Sequence, residues 1–286
     1  MRVDCEGCAG CCLDWRPLTD EDVDYERTGA YQPLDDTYNL TPLMRSEIRQ
    51  FLEDGLAAAM TPRFFREDGG VTIDGHDLAA IDGKPVFFVG IRKLPKPVAP
   101  FDESPRWLPS CVFLDPRTLQ CRIHDDDRYP EQCATYPGHN LALEQETMCE
   151  RVEESFGGKR LLEDEPPEEL DGLLLGRQAL GEKLFVHPEP DRLSELIGRV
   201  VAGELRRADR ADCLAVAAAS SPGTTTIEQA QYEQYRRRVL ARDSWIEPAV
   251  AEWSERADER GDSTPDPTIA IDIEEDRGAP DTPGWE

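Results

Sequence analysis

Cys5-Glu-Gly-Cys8-Ala-Gly-Cys11-Cys12, and about a hundred residues later Cys111-Val-Phe-Leu-Asp-Pro-Arg-Thr-Leu-Gln-Cys121-Arg-Ile-His124, carry the strongest chemical signal in the chain. With Cys133 and Cys149 they hold eight of the nine cysteines of the chain. Thiolates oxidise easily, so eight gathered in two groups call for a chemical reason, and a metal or iron–sulfur centre closed between the groups is the simplest. In Cys5-x-x-Cys8, two intervening residues let a turn aim both sulfurs at one ion. Extending the spacing to Cys11 gives three thiolates in the pattern that caps three corners of a [4Fe–4S] cluster, with the fourth ligand free to come from elsewhere. Gly7 and Gly10 let the backbone turn tightly there. Cys12 is the odd member, because adjacent residues do not easily share one tetrahedral ion. It points to a second metal, a bridging thiolate or a free thiol beside the site.

Working outward from these stretches, Cys111–Asp115 and Leu119–His124 flank Pro116-Arg-Thr and read as a hairpin with a cysteine on each arm. Pro130-Glu-Gln-Cys133 reads as the first turn of a helix. Upstream, Leu18-Thr19-Asp20 opens a short helix stopped near Gly29, with Thr19 as N-cap and Asp22 in its first turn. Thr41-Pro42 opens a longer helix through Ala59. Strands are expected at Val71–Ile73 and Pro85–Ile91, with Gly69-Gly70 and Gly157-Gly158 as turns. The expected fold class is α+β: a small irregular metal-centred domain with a short antiparallel sheet and helices, followed by a helical extension. Residues 1–160 form the cysteine-cluster domain and 163–169 an acidic, proline-containing linker. A helical extension covers 168–257, clearest at Asp191–Arg207 and Ile227–Arg256. Residues 258–286 form an acidic tail expected to be disordered, with Ile269–Ile273 a short exception.

The chain has 286 residues, ample for a core without cysteine staples. Its opening residues lack the apolar region of a signal peptide, and no apolar run approaches the length needed to span a membrane. A cytoplasmic protein is expected, and in a reducing cytosol close cysteines bind metal or react rather than pair. Charge is the second bound. There are 59 acidic and 32 basic side chains, a net charge of -27. Acid spread along the chain, with arginine far outnumbering lysine, is the habit of proteins working in concentrated salt. The field repels phosphate backbones, so nucleic acid is not the expected ligand. A protein partner through the helical extension stays open.

The combined pattern of the two cysteine groups, with Arg128-Tyr-Pro-Glu-Gln-Cys133 and Tyr136-Pro137, resembles the YkgJ-type cysteine-cluster family. That family is regarded as zinc- or iron-chelating, and flagellin lysine N-methylase belongs to the wider group. The resemblance covers residues 1 to about 155 and implies a centre ligated by Cys5, Cys8, Cys11, Cys12, Cys111, Cys121, Cys133 and Cys149. Three positions depart from it: His124 stands where the family has Tyr, Tyr129 separates Arg128 from Pro130, and Ala134 follows the third distal cysteine. The cofactor is then an iron–sulfur cluster, [4Fe–4S] by spacing, or zinc, since eight thiolates also make two tetrahedral sites without remainder. His124, three residues beyond Cys121, is either a nitrogen ligand or an ordinary polar residue at a strand end. His76, His139 and His187 read as surface or loop residues, and Cys213 as a buried core residue.

Phosphate-binding, dinucleotide-binding, serine-hydrolase and zinc-protease motifs are missing from the sequence. Any catalysis must then run through the centre, with Trp15, Trp107, Tyr129 and Tyr136 near enough in sequence to shield it. Three functions remain open: a metal-binding protein with a redox-active or transferable centre, a cluster-dependent protein-modifying enzyme such as a lysine N-methylase, and a zinc-stapled interaction module.

Overall fold

The computed structural model of the chain describes residues 7–19, 32–124, 126–157, 176–241, 244–260 and 264–283. In chain order the elements are β1 (Gln32–Pro33), α1 (Arg45–Glu53), β2 (Met60–Ile73), β3 (His76–Leu78), β4 (Ala80–Ile81), β5 (Lys84–Ile91), β6 (Lys93–Val98) and β7 (Arg106–Cys111). They continue with α2 (Glu131–Ala134), α3 (Gly138–Ala142), α4 (Met148–Phe156), β8 (Phe185–Val186), α5 (Leu196–Ala202), α6 (Arg207–Ala219), α7 (Gln229–Ala241), α8 (Ile246–Arg260) and α9 (Pro267–Asp276). The fold is α+β, with an antiparallel sheet ordered β1-β2-β5-β4 to which β3 adds on β2 and β8 on β5. Strands β6 and β7 form a separate ribbon.

Strand β2 forms because its first half alternates: Met60, Pro62 and Phe64 face the interior while Thr61, Arg63 and Phe65 are partly exposed. It runs antiparallel to β5 from Met60 opposite Ile91 to Phe64 opposite Phe87. Gly69-Gly70 is not a terminal turn. It lies inside β2 at a shift in register against β3. A Cβ on Gly70 would sit 1.9 Å from the Leu78 carbonyl oxygen, so only glycine lets the two backbones approach. The β6–β7 ribbon pairs Lys93 with Cys111 and carries Pro95 opposite Pro109, whose missing N–H groups suit it to a two-stranded edge.

Behind the sheet lies α6, buried from Asp209 through Ala219, against α1, α7 and β2. Its Ala-rich face allows close approach to β2, and Cys213 is fully enclosed there, as a core residue. One apolar core joins α1, β2 and β5 to α6, α7, α8 and α9, so residues 1–160 and 168–257 share an interior rather than each enclosing its own. A second, smaller core surrounds Leu13, Trp15, Tyr38, Leu108, Met148 and Val152.

Several local expectations give way to tertiary contacts. The helix expected over Thr41–Ala59 is confined to Arg45–Glu53. Thr41, Pro42 and Leu43 instead pair with Val89–Ile91, since the sheet edge there has free partners for their backbone. The helix ends where Gly55 takes a φ of 80°. The expected hairpin at 111–124 is reduced to one bridge, Leu114 to Cys121, because Cys111 is already committed to β6. Asp191–Arg207 breaks at Glu195, with φ 62°, and at Gly203. Ile227–Arg256 divides into α7 and α8. The tail expected to be disordered contains α9, N-capped by the Asp266 side chain and buried through Ala270, Ile271, Ile273 and Glu274. Its few apolar residues are spaced to one helical face, which finds the β6 ribbon and α8. Of the expected Leu18–Gly29 helix, Arg16–Leu18 forms a 3-10 turn; residues 20–31 and the linker 163–169 lie outside the described residues.

Candidate metal centre

The amino-terminal thiol loop is shaped by two left-handed residues, Gly7 (φ 67°) and Ala9 (φ 48°). The amides of Cys12 and Leu13 both donate to the Ala9 carbonyl, at 2.8 and 3.2 Å, closing a turn that brings Cys11 and Cys12 out on one side. The chain then joins the ribbon. Cys111 N donates to Cys12 O at 2.6 Å, Asp14 N donates to Pro109 O, and Leu13 bridges Ser110. Lys93 Nζ, at 3.1 Å, and Asn39 Nδ2, at 3.2 Å, both donate to the Cys11 carbonyl oxygen, pinning the loop from the far side. The first and second cysteine groups therefore meet through backbone pairing before any ligand is considered.

Three other elements bring the remaining thiols. Cys121 follows the bend at Asp115–Gln120, whose Asp115 carboxylate accepts from the amides of Arg117 and Thr118. Cys133 rides on α2, and its sulfur lies 3.9 Å from Thr41 Oγ1. Glu47 holds that helix in place: Oε1 accepts from Glu131 N and Oε2 from Met44 N, each at 2.7 Å, so one carboxylate caps α1 and α2 together. Cys149 lies in the first turn of α4, begun by the reciprocal Thr147–Glu150 cap. Next to it, Met148 Sδ accepts from Trp15 Nε1 at 3.1 Å and Tyr38 OH at 3.2 Å, and Met148 N donates to the Tyr136 hydroxyl.

The result is one cavity of about 610 Å³ lined by Cys8, Cys11, Cys12, Cys111, Cys121, Cys133 and Cys149. Cys5 lies outside the described residues. Cys11, Cys12, Cys111, Cys121, Cys133 and Cys213 carry unbridged thiols. Tyr129 and Tyr136 also line the cavity, whereas Trp15 lies in the smaller core behind it and Trp107 is absent from its wall. Among the described lining residues there is no histidine, and the one carboxylate, Glu146, is paired with Arg151 at 2.6 Å. The side chains there best suited to ligate a cation are therefore the seven thiols, beside neutral amides and hydroxyls such as Asn39, Thr41, Gln132 and Asn140. His124 is not in the wall; its ring packs against Tyr129 at 4.9 Å. His139 and His187 are buried rather than superficial, His187 with its Nε2 3.0 Å from Asp212.

As the side chains stand, no group of three or more Cys, His, Asp or Glu among the described residues is close enough to hold a metal ion. The closest approach is between neighbours. Cys11 and Cys12 sulfurs are 3.9 Å apart, and two thiolates at 2.3 Å on one tetrahedral ion are separated by about 3.8 Å. Adjacency in sequence thus does not prevent Cys11 and Cys12 from presenting their sulfurs at the separation one tetrahedral ion would need, because the Ala9 turn rotates both side chains to one side.

The electrostatics are those of crowded thiols. A shared hydrogen bond pulls the Cys11 thiol down to about 7 against its burial, with help from the charge on Lys93. The same bond, then burial and the charges of Cys11, Cys111 and Cys121, push Cys12 well up, so the pair gives up one proton readily and the second with difficulty. Burial raises Cys111, raises Cys121 to about 12 and pushes Cys133 well up, each with added repulsion from neighbouring thiols. Burial also lowers Lys93. A second or third thiolate in this cavity needs a cation to offset its charge.

These features define the class: an α+β protein with a partly open cavity, lined by seven thiols, at the junction of two apolar cores. The chain belongs to the Family of unknown function (DUF7531), whose model matches residues 1–286. No curated protein and no solved structure matches it. No helix of the described residues is long and apolar enough to cross a membrane.

Proposed function

We propose that this chain binds a thiophilic metal centre, zinc or an iron–sulfur cluster, in the cavity between its two cysteine groups. One observation carries the reading: seven thiols from segments a hundred residues apart line a single cavity whose described wall holds no histidine and one carboxylate, Glu146. Soft thiolates select zinc, cuprous ion and iron–sulfur clusters over hard cations such as calcium or magnesium. The mutual repulsion of the thiols supports it too, because a bound cation turns that repulsion into ligation and releases protons on binding. The resemblance to the YkgJ-type family supports the same centre. Cys11 and Cys12 are the nearest pair, with Cys111, Cys121 and Cys133 the thiols whose charge they feel. A cytoplasmic setting accompanies this reading, since reduced thiols persist there. The net charge of -27 favours a partner other than nucleic acid.

The test is anaerobic purification followed by metal analysis and an absorption spectrum. A brown protein with sulfide and visible charge-transfer bands means an iron–sulfur cluster, and a colourless one with stoichiometric zinc means a zinc site. Protein that holds neither after anaerobic reconstitution with iron and sulfide or with zinc refutes the proposal. Replacing Cys11 by Ser should abolish loading, since that thiol lies 3.9 Å from Cys12 and is the one whose proton leaves most readily.

A further inference from the structure

The most deeply buried charges in the described structure stand behind the centre. Glu274 of α9 is fully enclosed although the segment around it is acidic and largely exposed. Its Oε1 lies 2.8 Å from Lys96 Nζ, and its Oε2 lies 2.8 Å from both Nε and Nη2 of Arg122. Lys96, also fully enclosed, donates to the carbonyls of Val112 at 2.9 Å and Leu114 at 2.7 Å, just past Cys111, and sits 4.7 Å over the Trp253 ring. Arg122, next to Cys121, donates to Pro280 O at 2.8 Å, and Thr282 Oγ1 donates to Asp115 Oδ2 at 2.6 Å. Three points of the C-terminal segment, Glu274, Pro280 and Thr282, thus fall on the one loop that carries Cys111 and Cys121.

We propose that the C-terminal segment is a strap that positions the Cys111 and Cys121 thiols, with Glu274 as the group that locks it. The chemistry favours positioning over bulk stability. A buried ion cluster contributes little compared with well-packed apolar groups of the same size, so its use here fits a need for one geometry. Lys96 and Arg122 are matched by Glu274 and Asp115, and the cluster closes only when the segment is seated. Removing Glu274's charge leaves Lys96 uncompensated and Arg122 with only Asp115, 3.6 Å away, and the loop must move to relieve them. Lys96, Arg122 and Glu274 are in this sense positioning residues, touching no ligand themselves. The metal-binding consequence rests on the function proposed above; the positioning of the two thiols does not.

The test uses the full chain with Glu274→Gln, and Asp272→Asn on the exposed face of α9 as control. Alkylation rates of individual cysteines are read by mass spectrometry on metal-free protein, with buried Cys213 as the interior reference. Cys111 and Cys121 should react at least about tenfold faster in Glu274→Gln, while Cys149 and Cys213 hold their rates and Asp272→Asn resembles the parent. Zinc or cluster affinity should fall about 10- to 100-fold, as for other groups that orient ligands from behind. Unchanged rates at Cys111 and Cys121 overturn the strap, as does equal acceleration at Cys213, which means general loosening. If Glu274→Gln does not fold, Thr282→Val removes a single outer contact. It should give the same selective acceleration in weaker form, and no acceleration overturns the proposal. If the parent binds no metal, the function fails while the alkylation pattern still decides the strap.

Discussion

Replacing Glu47 by Ala removes the carboxylate that caps α1 and α2 at once. Two backbone donors, Met44 N and Glu131 N, lose an acceptor at 2.7 Å. A hydrogen bond to a charged group contributes about 1.5–3 kcal/mol net, and a buried donor left unpaired costs about 1–3 kcal/mol. Burying the carboxylate itself is unfavourable and offsets part of this, so the loss should be about 2–4 kcal/mol. Glu47→Gln keeps one accepting oxygen but turns an amide NH₂ toward the other donor, and should lose about half as much. Urea unfolding followed by circular dichroism measures the stability. Alkylation of Cys133 reports on α2 directly, because Glu131 begins the helix that carries it. Burial raises the Glu47 carboxyl above its usual 4.5 in the folded chain. Its contribution is therefore fully present below that pH and declines as pH rises through the raised value. The deficit of Glu47→Ala should accordingly be larger at about pH 4 than at about pH 7. A deficit under about 0.5 kcal/mol, or one that grows with pH, refutes the double-cap reasoning.

Three further outcomes follow from the structure. Raising KCl from about 0.1 M to about 2 M should raise the melting temperature, because a net charge of -27 repels itself less when screening shortens to a few ångströms; a fall would refute salt adaptation. Asp212 is pushed up by burial, but hydrogen bonds from His187 and Tyr232 and the charge of Arg192 outweigh this and hold it below 3.8. Its stabilisation is present above that pH and lost as pH falls through the lower folded value. Asp212→Asn should therefore cost about 3 kcal/mol at neutral pH and flatten the acid limb of a pH–stability curve, measured by thermal unfolding. Gly10→Ala places a methyl 2.6 Å from Val152 Cγ2 and 3.3 Å from Cys8 Sγ. It should destabilise by about 1–3 kcal/mol in the same assay, and Val152→Ala should restore part of that loss; no rescue refutes the steric account.

Sequence reading reached the thiols better than the frame around them. The spacing of the two cysteine groups singles out Cys8, Cys11, Cys111, Cys121 and Cys133, which do line one cavity, because the chemistry of a thiol is local in type. That Cys149 shares the cavity follows from α4 packing on the thiol loop through Val152, which no spacing reveals. Thr41-Pro42 looks like a helix start by propensity, but β5 offers backbone partners that outweigh it. Glu274 was hidden by composition: a low-apolar acidic tail predicts disorder, and only the distant Lys96 and Arg122 give that one acid a reason to be buried. Spacing alone does not bring the Cys12 sulfur to 3.9 Å from that of Cys11; the turn at Ala9 does, through a left-handed residue that the sequence does not announce.

The core shared by α6 and β2 bears on how such a chain is inherited. Zinc ribbons and ferredoxin-like loops travel between proteins as cassettes because each closes on itself. Here Ala211–Ala219 back the main sheet and α9 packs on the ribbon that leads into Cys111, so a recombination break between 157 and 176 would divide one interior. The cysteine motif and the helices after it are bound to pass together, and a chimera that carries only the motif should inherit the ligands without the cavity.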